Sequence, residues 1–89
     1  MSSVYEKIYE ILSPAELKKF NISSPLDLAT RRLKLADYIK IRNYAIIKFL
    51  KLNKNRYSSK HKLIIATTEE FCLSYYTIRK IADKIWQKI

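Results

Sequence analysis

Apolar residues recur three and four positions apart along almost the whole chain, and the starts of these runs carry serine. That pairing restricts the chain to helices. The interval is the period of one face of an α-helix, and a serine hydroxyl accepts a hydrogen bond from a helix N–H that has no partner inside the helix. Ser3 with Glu6, Ser13 with Glu16 and Ser24 with Asp27 each have the spacing of a capping box, in which hydroxyl and carboxylate satisfy each other's backbone N–H groups. Pro14 and Pro25 stand at the first helical position after two of these serines, where the missing N–H is unpaired in any case. Residues before proline avoid helical geometry, so Ser13 and Ser24 mark boundaries. The pattern predicts a first helix to about Leu12, with Val4, Tyr5, Ile8, Tyr9, Ile11 and Leu12 as its apolar face. A second runs from Pro14 to about Phe20, and a third begins at Ser24. The one β-branched run, residues 64–68, lies inside a helical pattern, so the expected class is all-α.

The apolar pattern continues through Leu26, Leu28, Ala29, Leu33 and Ala36, with Asp37 either capping a new helix or lying within the third. Tyr38, Ile41, Ala45, Phe49 and Leu52, widened by Ile39, Ile46 and Leu50, predict a long and largely buried helix to about Leu52. Residues 53–57 read as a polar, basic loop, and Ser58 or Ser59 caps a helix over 60–71. A corner at Cys72, Leu73 and Ser74 follows, with Ser74 as the cap of a last helix from Tyr75. Ile78, Ile81 and Ile85 form the inward stripe of that helix; Phe71 and Ile64 face it, and Leu73 plugs the angle. Tyr75, Tyr76, Arg79, Lys80 and Lys84 then fall on the outer face, while Trp86 and Ile89 lie on the apolar side. This is the spacing of a helix-turn-helix, whose second helix enters the DNA major groove. The corner position usually holds glycine, which tolerates a positive φ. The chain has no glycine, so Cys72 implies either another turn type or slight strain.

Eighty-nine residues suit one helical domain, divided as 1–30 (N-terminal helices), 31–57 (basic helix and loop) and 58–89 (helix-turn-helix). No apolar stretch reaches the roughly 18 residues that a membrane span needs. Residues 1–6 lack the basic-then-apolar pattern of a signal peptide, so the cytoplasm is the default compartment. The single cysteine leaves no partner for an internal disulfide and no cysteine-based zinc site, and Cys72 reads as a small buried hydrophobe, with a reactive thiol as the lesser alternative. The net charge of +10 is concentrated: residues 31–62 hold eleven Lys or Arg against Asp37 alone. Residues 1–30 hold three Lys against four acids, and residues 63–89 four bases against three. A basic stretch of this strength points to a polyanion, nucleic acid being the commonest, with a solvated lysine-rich surface as the plainer alternative.

The phrase Glu69-Glu70-Phe71-Cys72-Leu73-Ser74-Tyr75-Tyr76-Thr77-Ile78-Arg79-Lys80-Ile81 resembles that of small helix-turn-helix DNA-binding proteins of bacteria and their mobile elements. The preceding Ile41-Arg42-Asn43-Tyr44-Ala45-Ile46 run is similar to a helix found before it in some of them. The resemblance covers about the C-terminal half. It implies double-stranded DNA as partner, with transcription regulation or a mobile-element accessory role. Within that expectation Ser74, Tyr75, Tyr76, Thr77, Arg79, Lys80 and Lys84 meet DNA from the last helix, and Arg56, Lys60, His61 and Lys62 meet it around the helix before. Arginine can bind guanine O6 and N7 bidentately, whereas lysines suit phosphates.

No catalytic constellation is visible. His61 is the only histidine, adjacent Glu69 and Glu70 point different ways on a helix, and no His, Cys or Asp set has metal-ligand spacing. The expectation is therefore no enzyme, no cofactor, no metal, no membrane and no small-molecule substrate. A helical protein-interaction adaptor and a shape-reading RNA binder stand as alternatives. A closed monomer and a homodimer through the N-terminal helices, presenting Val4, Tyr5, Ile8 and Tyr9, are both open.

Overall fold

The computed structural model describes residues 4–29 and 34–89; the expectations placed on Ser3, Arg31, Arg32 and Leu33 lie outside them. The described residues form six α-helices and no strand: α1 (Val4–Ile11), α2 (Pro14–Lys19), α3 (Pro25–Ala29), α4 (Leu35–Asn53), α5 (Lys60–Phe71) and α6 (Tyr75–Ile85). A 3-10 turn, Trp86–Lys88, follows α6. The all-helical expectation thus holds. The chain gathers into two compact units, Met1–Ala45 and Ile46–Ile89, and Asp37 sits in the first turn of α4.

In the first unit, local chemistry sets the helix ends. The Ser13–Glu16 capping box forms as the spacing requires: Glu16 N–H donates to Ser13 Oγ at 3.2 Å and Ser13 N–H to Glu16 Oε1 at 2.8 Å. The other oxygen of Glu16 accepts from the Tyr44 hydroxyl of α4, so one carboxylate both caps α2 and holds Tyr44. That hydrogen bond, chiefly, pushes the Tyr44 hydroxyl above its ordinary pKa of 10.0. Phe20 meets the Tyr44 ring edge-on at 5.7 Å. Helix α2 ends with Asn21 at φ 58°, Ile22 N–H reaching the Leu17 carbonyl at 2.9 Å and Asn21 N–H reaching Lys18 at 3.1 Å. This left-handed stop is usually glycine's, with asparagine the commonest substitute. At α3 the Asp27 carboxylate accepts from Ser23 N–H at 2.7 Å, one residue ahead of the expected partner Ser24.

Helix α1 packs on α3, and Ile8, Leu12, Ile22 and Leu28 are buried. Leu26 is 65 % exposed and Ala29 and Ala36 are also at the surface, against the sequence expectation. Five residues of α3 make little more than one turn, so leucines two apart point to opposite sides and only Leu28 turns inward.

The second unit buries Ile46 and Leu50 of α4, Leu63, Ile64, Thr67 and Phe71 of α5, and Ile78 and Ala82 of α6. Phe49 and Phe71 meet edge-on at 5.8 Å. Thr67, the buried polar residue of this core, returns its hydroxyl to the Leu63 carbonyl at 2.7 Å. Leu52 is 65 % exposed, because Ile46 and Leu50, four apart, fix the inward face and Leu52 falls across from it. On α6 the fully buried pair is Ile78 and Ala82, four apart, so Ile81 and Ile85 lie half-buried at the margin of the stripe. Trp86 and Ile89 are also half-buried.

The corner between α5 and α6 keeps the left-handed geometry without glycine. Cys72 has φ 54° and ψ 41°, its N–H bonds the Thr68 carbonyl, and Leu73 N–H reaches the same oxygen at 3.3 Å. Cys72 is exposed, a correction to its reading as a buried hydrophobe. A left-handed residue reverses the chain outside the packed faces, and its neighbours, buried Phe71 and half-buried Leu73, supply the inward side chains. Left-handed backbone costs a residue with a Cβ about 1–2 kcal/mol.

Two stability measurements check this packing. Ile78→Ala should lower unfolding free energy by ~2–5 kcal/mol in urea titrations, whereas Ile65→Ala, at a site 40 % exposed, should cost less than about 1 kcal/mol. Cys72→Gly should raise stability by about 0.5–1 kcal/mol, the left-handed penalty less the extra freedom of glycine in the unfolded chain.

Candidate nucleic-acid interface

Helix α6 starts where Ser74 Oγ accepts from Thr77 N–H at 3.2 Å and pairs with the Thr77 hydroxyl at 2.9 Å. Both hydroxyls are therefore engaged in the cap. With Ile78 and Ala82 inward, Tyr76, Arg79, Lys80 and Lys84 stand exposed on the other side, Tyr76 at 66 %. The Lys80 ammonium lies 5.2 Å from the Tyr76 ring centroid, a cation–π distance that links two neighbouring outward groups one helical turn apart.

Helix α5 is capped by Ser59, the second of the two candidate serines, whose hydroxyl accepts from Lys62 N–H at 3.2 Å. Its first turn carries Lys60, His61 and Lys62 and no acid. Two of these reach α6. His61 Nδ1 lies 2.8 Å from the Tyr75 hydroxyl, with the rings 5.3 Å apart. Tyr75 is consequently half-buried and turned toward α5, where the sequence placed it on the outer face. Lys60 Nζ lies 2.5 Å from Asp83 Oδ1, and Arg79 Nε lies 3.7 Å from Asp83 Oδ2. One carboxylate thus spans a candidate phosphate contact and the candidate base reader. The hydrogen bond from Lys60 holds the Asp83 carboxyl below its ordinary 3.8, helped by the Lys60 and Arg79 charges and opposed by partial desolvation.

Trp86 adjoins this cluster. The ammonium groups of Lys54 and Lys60 stand 5.1 Å and 5.3 Å from its ring centroid, and Lys54 also donates to the Ile89 carbonyl. Arg56, Lys62 and Lys84 are exposed, and their side chains have no partner among the described residues. The structure therefore brings Lys60, His61, Tyr75 and Arg79 together, pairs Ser74 with Thr77 and Tyr76 with Lys80, and leaves the side chains of Arg56, Lys62 and Lys84 without a hydrogen bond or ion pair among the described residues. Sequence reasoning missed Asp83. Its four-residue separation from Arg79 was a visible signal, but the bridge to Lys60 spans 23 residues and has no local signature.

Charge is concentrated here too. Residues 46–89 hold ten Lys or Arg against Glu69, Glu70 and Asp83, a net of +7 of the chain's +10. Among the described residues no three His, Cys, Asp or Glu side chains converge as a metal site, and no helix is long and apolar enough to cross a membrane. No protein-family model matches the chain, and neither a curated protein nor a solved structure matches it significantly.

The Asp83 bridge has a checkable titration. A carboxyl with a depressed folded pKa stabilises the fold above its unfolded value, and that contribution is lost as pH falls through the folded one. In an NMR pH titration the Asp83 carboxyl midpoint should lie below 3.8 and rise in Lys60→Ala. A wild-type midpoint at or above 3.8 would contradict the bridge.

Proposed function

We propose that the chain is a double-stranded DNA-binding protein in which α5, the Cys72 corner and α6 act as a helix-turn-helix, with α6 reading the major groove. The observation that carries this reading is the outward face of α6: Tyr76, Arg79 and Lys80 exposed over its first turns, opposite buried Ile78 and Ala82, on a unit of net charge +7. The N-terminal turns of such a helix are the ones that meet base edges. Arg79 is the base reader and Tyr76 its neighbour against base edges or a thymine methyl. Lys62, Arg56 and Lys84, which have no side-chain partner among the described residues, are the phosphate contacts. Tyr75 and His61 shape the approach of α5 to α6 and meet DNA at its edge. Transcription regulation or a mobile-element accessory role follows from the resemblance of the C-terminal half.

A protein-interaction adaptor is the second reading, favoured by Leu26, Leu35 and Leu52, each at least 65 % exposed. The two readings separate in one experiment: selection from a random duplex pool by gel shift, then affinities on the selected duplex and a scrambled one. The DNA-binding reading expects log K to fall with log salt at a slope of roughly −4 to −5, for about five phosphates neutralised. Arg79→Ala should lose about 1–3 kcal/mol on the selected duplex and much less on the scrambled one; Lys62→Ala should weaken both by similar factors. No duplex binding at low salt would overturn the proposal in favour of the adaptor.

A further inference from the structure

We infer that Asp83 is a positioning residue that sets how well this face discriminates one duplex from another, by holding Lys60 away from the phosphate backbone and steering the Arg79 guanidinium. The inference rests on the DNA-binding reading above and assigns a role to a residue that carries the wrong charge for a polyanion face.

The geometry is divided between the two carboxylate oxygens. Oδ1 takes Lys60 Nζ at 2.5 Å, a charge-assisted hydrogen bond. Oδ2 stands 3.7 Å from Arg79 Nε, beyond hydrogen-bond length yet within reach of the charge. The two cations are therefore held differently. Lys60 is occupied, and it is further confined by the Trp86 ring 5.3 Å away. Arg79, with a side chain 58 % exposed, is oriented from its inner nitrogen. A guanidinium fork approached at Nε still presents its outer edge to a second planar acceptor. Asp83 and Arg79 are four apart on α6, so the carboxylate sits one turn behind the reader.

Consequences for binding follow from charge counting. With Asp83 present, Lys60 brings little net charge to a phosphate, since it must exchange one anion for another. Arbitrary DNA, bound through its phosphates, gains nothing from Lys60. The selected sequence gains from an Arg79 whose orientation is already restricted. Removing the charge at Asp83 should therefore strengthen the arbitrary duplex by more than the selected one, which gains the same phosphate contact but loses the restricted Arg79, so that the ratio of the two affinities falls. A plain surface ion pair with no part in orienting Arg79 would shift both affinities alike and leave their ratio unchanged.

The test measures wild type, Asp83→Asn and Asp83→Glu on the selected and scrambled duplexes over a salt series, with thermal unfolding of each variant as the folding control. Asp83→Asn should lower the ratio of selected to scrambled affinity by about three- to tenfold. It should also make the salt slope on scrambled DNA steeper by about 0.9, the value of one released phosphate contact. Asp83→Glu, which keeps the charge, should recover most of the ratio. An unchanged ratio and slope in a folded Asp83→Asn would overturn the inference and leave the DNA-binding reading standing. Should Asp83→Asn unfold, the affinity of Lys60→Ala for the scrambled duplex decides: it is held as in wild type if Lys60 is withheld, and falls, overturning the inference, if Lys60 already contacts phosphate. Absence of salt-dependent duplex binding by wild type removes both.

Discussion

Helices of five to twelve residues are marginal in water by themselves, and five of the six helices among the described residues fall in that range. Their existence depends on how their ends are satisfied and on what covers one face. Ser13, Ser59 and Ser74 supply the starting caps through hydroxyl-to-N–H bonds. Asn21 and Cys72 supply two of the stops in left-handed backbone, a task done without any glycine. These ends are not decoration on a preformed core. They place Phe71 before the corner and Ile78 one turn into the next helix, and both are buried in the second unit.

Electrostatics in the second unit answers a local problem. The N-terminus of an α-helix favours negative charge, yet α5 opens with Lys60, His61 and Lys62. No acid in its own first turn offsets them. Asp83 brings the missing negative charge from α6, and Ser59 meets the exposed N–H of Lys62. The same carboxylate that relieves the start of α5 engages Lys60 and stands 3.7 Å from Arg79 Nε.

Features governed by near neighbours along the chain are legible in the sequence. The Ser13 box, the Ser59 and Ser74 caps and the span of α5 follow from chemistry within three or four residues. So does the outward placement of Tyr76, Arg79 and Lys80, once Ile78 is turned inward. Choices between near-equivalent positions are not legible in this way. Residue size points to Ile81, but the fourfold interval from Ile78 buries the smaller Ala82. Residue type points to a buried Cys72, but a left-handed corner exposes whatever occupies it. Tyr75 turns inward because His61 gives its hydroxyl a partner 14 residues away, and Asp83 joins the site across 23. Long-range pairings of this kind leave no periodic trace.

Trp86 is the chain's single tryptophan, and two lysine ammonium groups, one of them the cation held by Asp83, stand over its ring. An indole's emission responds to the charges beside it. The molecule therefore carries an optical reporter at the point where Lys60 is either held or released. Light collected from the unlabelled protein comes, in its tryptophan band, from that one place.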